Sequence, residues 1–508
     1  MSIKKNTIAN YIGRLYITFI GIILLPIYYQ YLGPAAFGLI SLLTVMQSLL
    51  RLFDMGLTPT LSREVAYHRH QGNNFTEIKQ LLHSLEIIFF VISIVMILIV
   101  SISSRWIVYV WLKVDHFSYY EVTYIMIVIS GIICLRWFSD LYRAGMLGLE
   151  RQVWCNSANI IILSIQYIGG YCLLRWVTRE SLYFFEYQLF VAVIEIIVFR
   201  SKLYKNFPNA LPGFLHFYVS WNSIKKVLPF ASGLAYTSTL WILLTQLDKV
   251  LLSHILPLST YGYFALVTSI AAGILQFSSP ISQAILPRMT FLLSQGKEQE
   301  MLQLYRNATQ VTAVIVLSLT GIMAMYSSEL IYAWTGDKAA ANWGGPIFFW
   351  YILGNGILSI AAFQYYLQFA YGKLKLHVMF NTLFALIAIP IICFVAYRYS
   401  AKGTAIAWFV MESISFLIWT PIIHHKLAPG IHLQWLMKDI FPIFFVILGT
   451  LFFIKNLSID FELISRNISL IIFVGFTLVI FMAGSLASST CRGFMVFLLF
   501  KWRRNITA

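Results

Sequence analysis

Leu32-Gly33-Pro34-Ala35-Ala36-Phe37-Gly38 interrupts two long apolar runs, and the same kind of interruption recurs as Leu256-Pro257-Leu258-Ser259-Thr260-Tyr261-Gly262. Glycine admits backbone angles that other residues avoid, and proline cannot donate to the turn before it, so such a stretch ends one helix and starts another. In both places a tight turn joins a first span to a second. Each second span then ends in a related segment, Ser62-Arg63-Glu64 in one copy and Pro287-Arg288-Met289 in the other. Both copies start on the same side of the membrane and hold six spans, so the expected repeat is parallel, about an axis along the membrane normal. Two such lobes around a central cavity suit alternating access.

Composition agrees with a chain that lives in lipid. Of its 508 residues 59% are hydrophobic and only 11% are charged, against about 25% in a soluble domain. Apolar runs of roughly 20 residues, the length that crosses a bilayer, recur along the chain. We place spans at 8–32, 36–60, 79–103, 119–148, 154–175 and 182–200. A second set lies at 227–254, 259–287, 304–326, 346–371, 374–396 and 403–423, and two more lie at 439–455 and 466–487. The expected fold is an all-α polytopic membrane protein of fourteen spans, with twelve as the alternative. Its parts are an N-terminal six-helix lobe (1–200), a cytoplasmic inter-lobe linker with Pro208 and Pro212 (201–226), a C-terminal six-helix lobe (227–425), and two additional helices with a basic cytoplasmic tail (426–508).

The net charge of +16 does not point to nucleic acid, because the cations are spread over short loops and build no basic face. They are sorted by side instead. Lys4/Lys5, Arg63/Arg69/Lys79, Arg200/Lys202/Lys205/Lys225/Lys226 and Arg492/Lys501/Arg503/Arg504 fall on one side, and a sparser set including Lys113, Lys338, Lys402 and Lys455 falls on the other. By the positive-inside rule both termini are cytoplasmic and the number of spans is even. The apolar run after Lys4 and Lys5 is too long for a signal h-region, so no cleaved signal is expected. Cys134, Cys155, Cys172, Cys393 and Cys491 lie in or beside apolar runs without CxxC spacing and read as small apolar fillers. His68, His70, His424 and His425 have no converging ligands, and no metal is expected.

Asn10-Tyr11-Ile12-Gly13, Leu25-Pro26, Tyr31 through Leu39, Leu52-Phe53-Asp54-Met55-Gly56-Leu57 and Leu61-Ser62-Arg63-Glu64 together resemble the opening of the Wzx-type O-antigen flippases. That family falls within the multidrug/oligosaccharidyl-lipid/polysaccharide exporter superfamily. Leu247-Asp248-Lys249-Val250-Leu251-Leu252-Ser253 with Tyr261-Gly262-Tyr263 is similar to the start of its second half, and Gly148-Leu149-Glu150-Arg151 fits the loop after its fourth span. The resemblance implies a bacterial inner-membrane flippase that carries an undecaprenyl-pyrophosphate-linked oligosaccharide to the periplasmic leaflet, coupled to an ion such as the proton. It implies no cofactor, and the chain has no G-x-x-x-x-G-K-[ST] for ATP. It further implies a polysaccharide polymerase and a chain-length regulator as neighbours.

A pyrophosphate crossing a low-dielectric slab needs cations and hydrogen-bonding walls around it. Arginine suits that task, since its planar fork meets phosphate oxygens two at a time and stays charged. Arg14, Arg51 and Arg136 are the candidate cavity cations, with Arg14 otherwise an anchor that reaches the inner surface. Arg51 and Asp54 are three apart and are expected on one helix face. Arg136 and Asp140 are four apart, and Arg143 lies one turn further in. For both sets a local ion pair is the alternative reading. Ion coupling needs a buried carboxylate; Asp248 (with Lys249 beside it), Glu412, Asp54 and Asp140 are the coupling and gating candidates, with Glu86 and Glu195 also considered. Asp248 and Lys249 are adjacent, so they are expected to point apart. Trp106, Trp111, Trp176, Trp334 and Trp343 read as an interfacial belt, or as platforms for sugar rings.

Two other classes share the hydrophobicity. A membrane-embedded polymerase would carry long outer loops with clustered acids and bases, and these loops are short and hold no nucleophile–base set. A multidrug or organic-cation antiporter would favour acids in its cavity, whereas the first lobe carries arginines.

Overall fold

The computed structural model describes residues 3–69, 75–206, 221–457, 459–461 and 463–494. Pro208, Pro212, His70 and the tail beyond Phe494 lie outside the described residues, as do the side chains of Arg14 and His68. Among the described residues there is no strand, only an isolated bridge between Lys113 and Pro257. The chain runs through α1 (Ile3–Leu50), α2 (Leu57–Arg69), α3 (Phe75–Trp106), α4 (Tyr119–Gly148), α5 (Gln152–Trp176), α6 (Ser181–Asn206) and α7 (Trp221–Ile255). It continues through α8 (Leu258–Ser294), α9 (Glu298–Met325), α10 (Ser327–Thr335), α11 (Lys338–Ala370), α12 (Leu374–Leu427), α13 (Ile431–Lys455) and α14 (Arg466–Ala487).

Eleven stretches among the described residues are long and apolar enough to cross a bilayer. A helix satisfies its backbone groups within its own segment inside hydrocarbon, which suits single apolar runs of this length. Two of the long helices each contain a sharp break. In α1 it falls at Gly33 (φ 79°, ψ 172°), and in α12 at Ser400 (φ 56°, ψ −150°). The first is the glycine of the Gly-Pro turn, and the second separates the spans placed at 374–396 and 403–423. With these breaks and the 35-residue α7, each of the fourteen expected spans lies mostly on helix.

The second span differs from expectation in its last third. Its helix stops at Leu50, and residues 51–56 form turns in which Met55 (φ 45°) and Gly56 (φ 72°) take left-handed angles. The chain resumes as α2 in a new direction. Arg51 and Asp54 therefore do not share a helix face. The sixth span also runs further than placed, to Asn206.

The chain divides into two compact units, Met1–Gly262 and Tyr263–Ala508. In the first, α4 packs along α6 and against α2 and α3, and α1 packs on α5. Phe89 stacks on Trp137 at 3.9 Å in its core. The two turn glycines lie in this unit and are used reciprocally. A methyl group added to Gly38 would stand 2.7 Å from the Leu258 carbonyl oxygen, and one added to Gly262 would stand 1.8 Å from the Pro34 carbonyl oxygen. Pro34 and Leu258 hold matching places in the repeat, as do Gly38 and Gly262. The two turns thus meet as a self-matched pair, backbone on backbone, by the small-residue packing that lets helices approach in lipid.

In the second unit, Tyr305, Phe363, Ile423 and Trp435 centre an apolar core to which α9, α11, α12 and α13 contribute. A buried polar set ties the last helices to α9. Arg306 holds Asp439 through Nε (2.6 Å) and Nη2 (3.1 Å), and Gln310 Nε2 donates to the same carboxylate at 2.7 Å. The Gln310 carbonyl accepts from Ser488 Oγ (2.8 Å), Ser489 Oγ (3.1 Å) and Thr490 N (3.0 Å).

Candidate functional site

Three arginines and two carboxylates of the first unit form one network across the end of α1, α4 and α6. Arg143 extends from α4 and divides its donors, Nη1 to Asp140 Oδ1 at 2.8 Å and Nη2 to Glu195 Oε1 at 2.6 Å. Phe199 of α6 lies beneath its guanidinium, 4.8 Å away. Arg136, one face of α4 deeper, has Nε 4.0 Å from Glu195 Oε2 and Nη2 donating to Gln188 Oε1 at 3.2 Å. Arg51 reaches Asp140 only at 3.9 Å, with 60% of its side chain exposed.

The physics of the three arginines differs accordingly. Arg136 and Arg143 are neutralised by the buried Glu195 and the half-buried Asp140, the arrangement that makes an intramembrane ion tolerable. Their Nε atoms are buried without a hydrogen-bond partner. Arg51 makes no hydrogen bond through its guanidinium among the described residues, so its planar fork is unspent. With three cations against two anions the network carries one formal positive charge, and Arg51 is where that charge meets open space.

The local pairs expected from spacing are rearranged. Arg136 turns from Asp140 to Glu195 and Gln188, because i,i+4 neighbours on α4 compete with a carboxylate that α6 brings alongside. Asp54 accepts from Thr58 N at 3.3 Å and from Thr58 Oγ1, so it caps the start of α2 instead of pairing with Arg51. This is ordinary capping chemistry, in which an acid satisfies the free N–H groups of a first turn. Lys249 does pair with Asp248, contrary to the expectation for adjacent helical residues. Its long stem folds back so that Nζ lies 3.3 Å from Asp248 Oδ1 and 2.6 Å from the Thr245 carbonyl. Of Arg14 only the backbone is described; its neighbour Gly13 faces Asn156 of α5.

Glu412 stands alone. It is 5% exposed within α12, and it has no hydrogen bond or ion pair with any described residue. Glu86 is the opposite case, since it accepts from Tyr142 (2.8 Å), from Tyr204 (2.8 Å) and from His83, whose Nδ1 is 3.1 Å away. Among the described residues no group of three His, Cys, Asp or Glu side chains is placed to hold a metal, and all five cysteines are free.

The reading of residue types missed the part played by Arg143 and Glu195 as the hub of the network. The i,i+3 spacing of Asp140 and Arg143 was a usable signal for one bond. No sequence signal joins Arg143 to Glu195, which lies 52 positions away.

Among the described residues the chain is helical and multi-pass, with an ion-pair network inside its first unit. Residues 3–293 match the model of the family described as "Polysaccharide biosynthesis protein". The chain belongs to that family. It is 21% identical over 422 residues to the "Putative O-antigen transporter" of Shigella flexneri, covering 82% of this chain and 97% of that one. Among solved structures it shares its fold with the lipid II flippase MurJ in an inward closed conformation, with TM-score 0.70, 14% identity, and 95% of this chain and 98% of that one covered. It shares it also with an inward-facing multidrug resistance MATE family transporter of the MOP superfamily, with TM-score 0.63, 11% identity, and 82% and 99% covered.

Proposed function

We propose that this protein is a flippase that moves an undecaprenyl-pyrophosphate-linked oligosaccharide, the repeat unit of an O-antigen or related polysaccharide, from the cytoplasmic to the periplasmic leaflet. It works by alternating access in the bacterial inner membrane, with both termini cytoplasmic and a proton as the coupling ion. The six-helix lobes 1–200 and 227–425 are its moving parts. It is a transporter and catalyses no covalent step. The polymerase and chain-length regulator of the same export route are its expected neighbours.

The observation that carries this reading is Arg51, an arginine with an unspent guanidinium at the open edge of a network of net positive charge. A pyrophosphate supplies two adjacent sets of oxygens for such a fork. Arg136 and Arg143 are balanced by Glu195 and Asp140, so the network's one net positive charge is left to Arg51. Lys249, Asp248 and Glu412 are the gating and coupling candidates of this mechanism, and Arg14 is a second substrate cation.

The test is leaflet exchange of a fluorescent undecaprenyl-pyrophosphate oligosaccharide in vesicles that contain the purified protein, with and without a pH gradient. Arg51→Ala, inserted in equal amount, should slow the movement by roughly tenfold, the value of one charge-assisted contact of about 1.4 kcal/mol. Arg14→Ala should slow it as well. Failure of the native protein to move the lipid, together with gradient-driven efflux of small organic cations, would replace this reading by that of an antiporter.

A further inference from the structure

A cavity of about 1130 Å³ lies wholly within the second unit, walled by α9, the start of α10, α11, α12 and α13. Its sides are apolar. Phe349 and Trp350 of α11 form one wall, and Phe444, Leu448 and Phe452 of α13 form another. The α13 residues are 40%, 50% and 69% exposed. Apolar exposure of this kind on a membrane-spanning helix suits acyl chains.

Cations and hydroxyls are also part of its lining. Lys402, just past the break at Ser400, and Lys455, the last residue of α13, both line it. Both are exposed, and neither has an ion pair or hydrogen bond with any described residue. Ser327 and Ser328 line it too, at the first turn of α10, which has no side-chain cap. Further in, Thr320 Oγ1 is buried without a partner. Unspent lysines, hydroxyls and a helix N-terminus without a side-chain cap, though with Glu329 in its first turn, favour phosphate, and the walls favour hydrocarbon.

We propose that this groove binds an anionic phospholipid of the surrounding leaflet, its phosphate between Lys402 and Lys455 and the first part of its chains against Phe349, Trp350, Phe444 and Phe452. The complementarity is of charge and of polarity together. Pockets for drug-sized ligands run to roughly 1,000 Å³, so this one has room for a headgroup and the upper part of its acyl chains. Lysines meet a phosphate monoanion as point charges, whereas a pyrophosphate calls for the arginine forks of the first unit. The groove is assigned to a lipid of the bilayer and not to the transported one, and its occupancy does not depend on the flippase reading.

The full chain in mild detergent, mixed with equal amounts of phosphatidylglycerol and phosphatidylcholine, should retain phosphatidylglycerol preferentially when examined by native mass spectrometry. Replacing both lysines, Lys402→Gln with Lys455→Gln, should cut that preference roughly tenfold. Gly449→Phe should reduce retention of both lipids. Gly449 lines the groove and a Cβ added there meets nothing within 4 Å, so a side chain can start at that position and occupy the groove. The paired Arg variants, Lys402→Arg with Lys455→Arg, should keep the preference. An unchanged preference in the glutamine variant overturns the proposal. So does displacement of phosphatidylglycerol by an equimolar polyprenyl phosphate, which would give the groove to the transported lipid.

Discussion

Arg51, Arg136 and Arg143 are chemically alike and differ in what faces them. Glu195, itself buried, answers both Arg136 and Arg143, so removing its charge leaves two guanidinium groups short of a partner inside the bundle. Breaking a buried pair from one side costs about 3 kcal/mol or more. Glu195→Gln should therefore lower the unfolding free energy of the purified protein by about that amount, measured by thermal or denaturant unfolding in detergent. An effect below about 1 kcal/mol would mean that Gln188 and Asp140 suffice to hold the arginines. Glu412 has no such structural debt, because nothing described is bonded to it. Glu412→Gln, which copies the protonated form, should leave stability and downhill lipid movement near their native values and abolish acceleration by a pH gradient. Retained acceleration in the vesicle assay would move the coupling role to Asp248. The site was legible at this scale as residue types: intramembrane Arg and isolated acids stand out against apolar runs. Their pairing was not, since Asp54 spends itself on Thr58 and Lys249 folds back on Asp248 for reasons that depend on backbone direction.

At the scale of elements, the paired turns around Gly38 and Gly262 carry the tightest requirement. A methyl group at Gly262 would stand 1.8 Å from a carbonyl oxygen of the main chain, which cannot swing aside as a side chain does. Overpacking of this kind costs about 3 kcal/mol or more once backbone must shift. Gly262→Ala should reduce the folded, monodisperse yield sharply and destabilise what remains. Gly21→Ala is the control: that position is helical and a side chain there meets nothing within 4 Å, so it should be neutral or stabilising by up to about 1 kcal/mol. Equal behaviour of the two variants on size-exclusion and thermal unfolding would remove the close approach as the reason for glycine. The turns themselves were visible as Gly-Pro and Pro-containing interruptions. The stop at Leu50 was not read, although Asp54 and Gly56 are residues that favour a turn, and the left-handed angles at Met55 and Gly56 accompany the packing of α2 on α4.

At the scale of the whole chain, eighteen or more apolar residues at a time and a sorted set of cations define a polytopic protein before any contact is known. What holds the last two spans to the second unit is specific. Asp439 is 1% exposed and binds Arg306 through two nitrogens and Gln310 through a third, while Gln310 also gathers the segment after α14. Asp439→Asn keeps the shape and removes the charge, and should cost about 3 kcal/mol. It should also admit proteolysis after α14, read as cleavage near residues 488–494 by mass spectrometry in detergent. Resistance equal to the native protein would show that apolar packing of α13 and α14 holds this end unaided.

The sequence alone determined the class, the approximate places of the spans, the repeat of the two turns and the family likeness. Those properties are sums over neighbouring residues: hydropathy over a bilayer's width, charge over a loop, a Gly-Pro break at one place in the chain. The tertiary structure decided which charges are spent and which are free. Arg143 meets Glu195 across 52 positions and Arg306 meets Asp439 across 133, and Lys402 and Lys455 line one groove from two different helices. No local pattern encodes such meetings, because they depend on how helices pack, and in lipid that is set by side-chain shape and interhelical polar contacts, with no contrast in hydrophobicity to reveal it in advance.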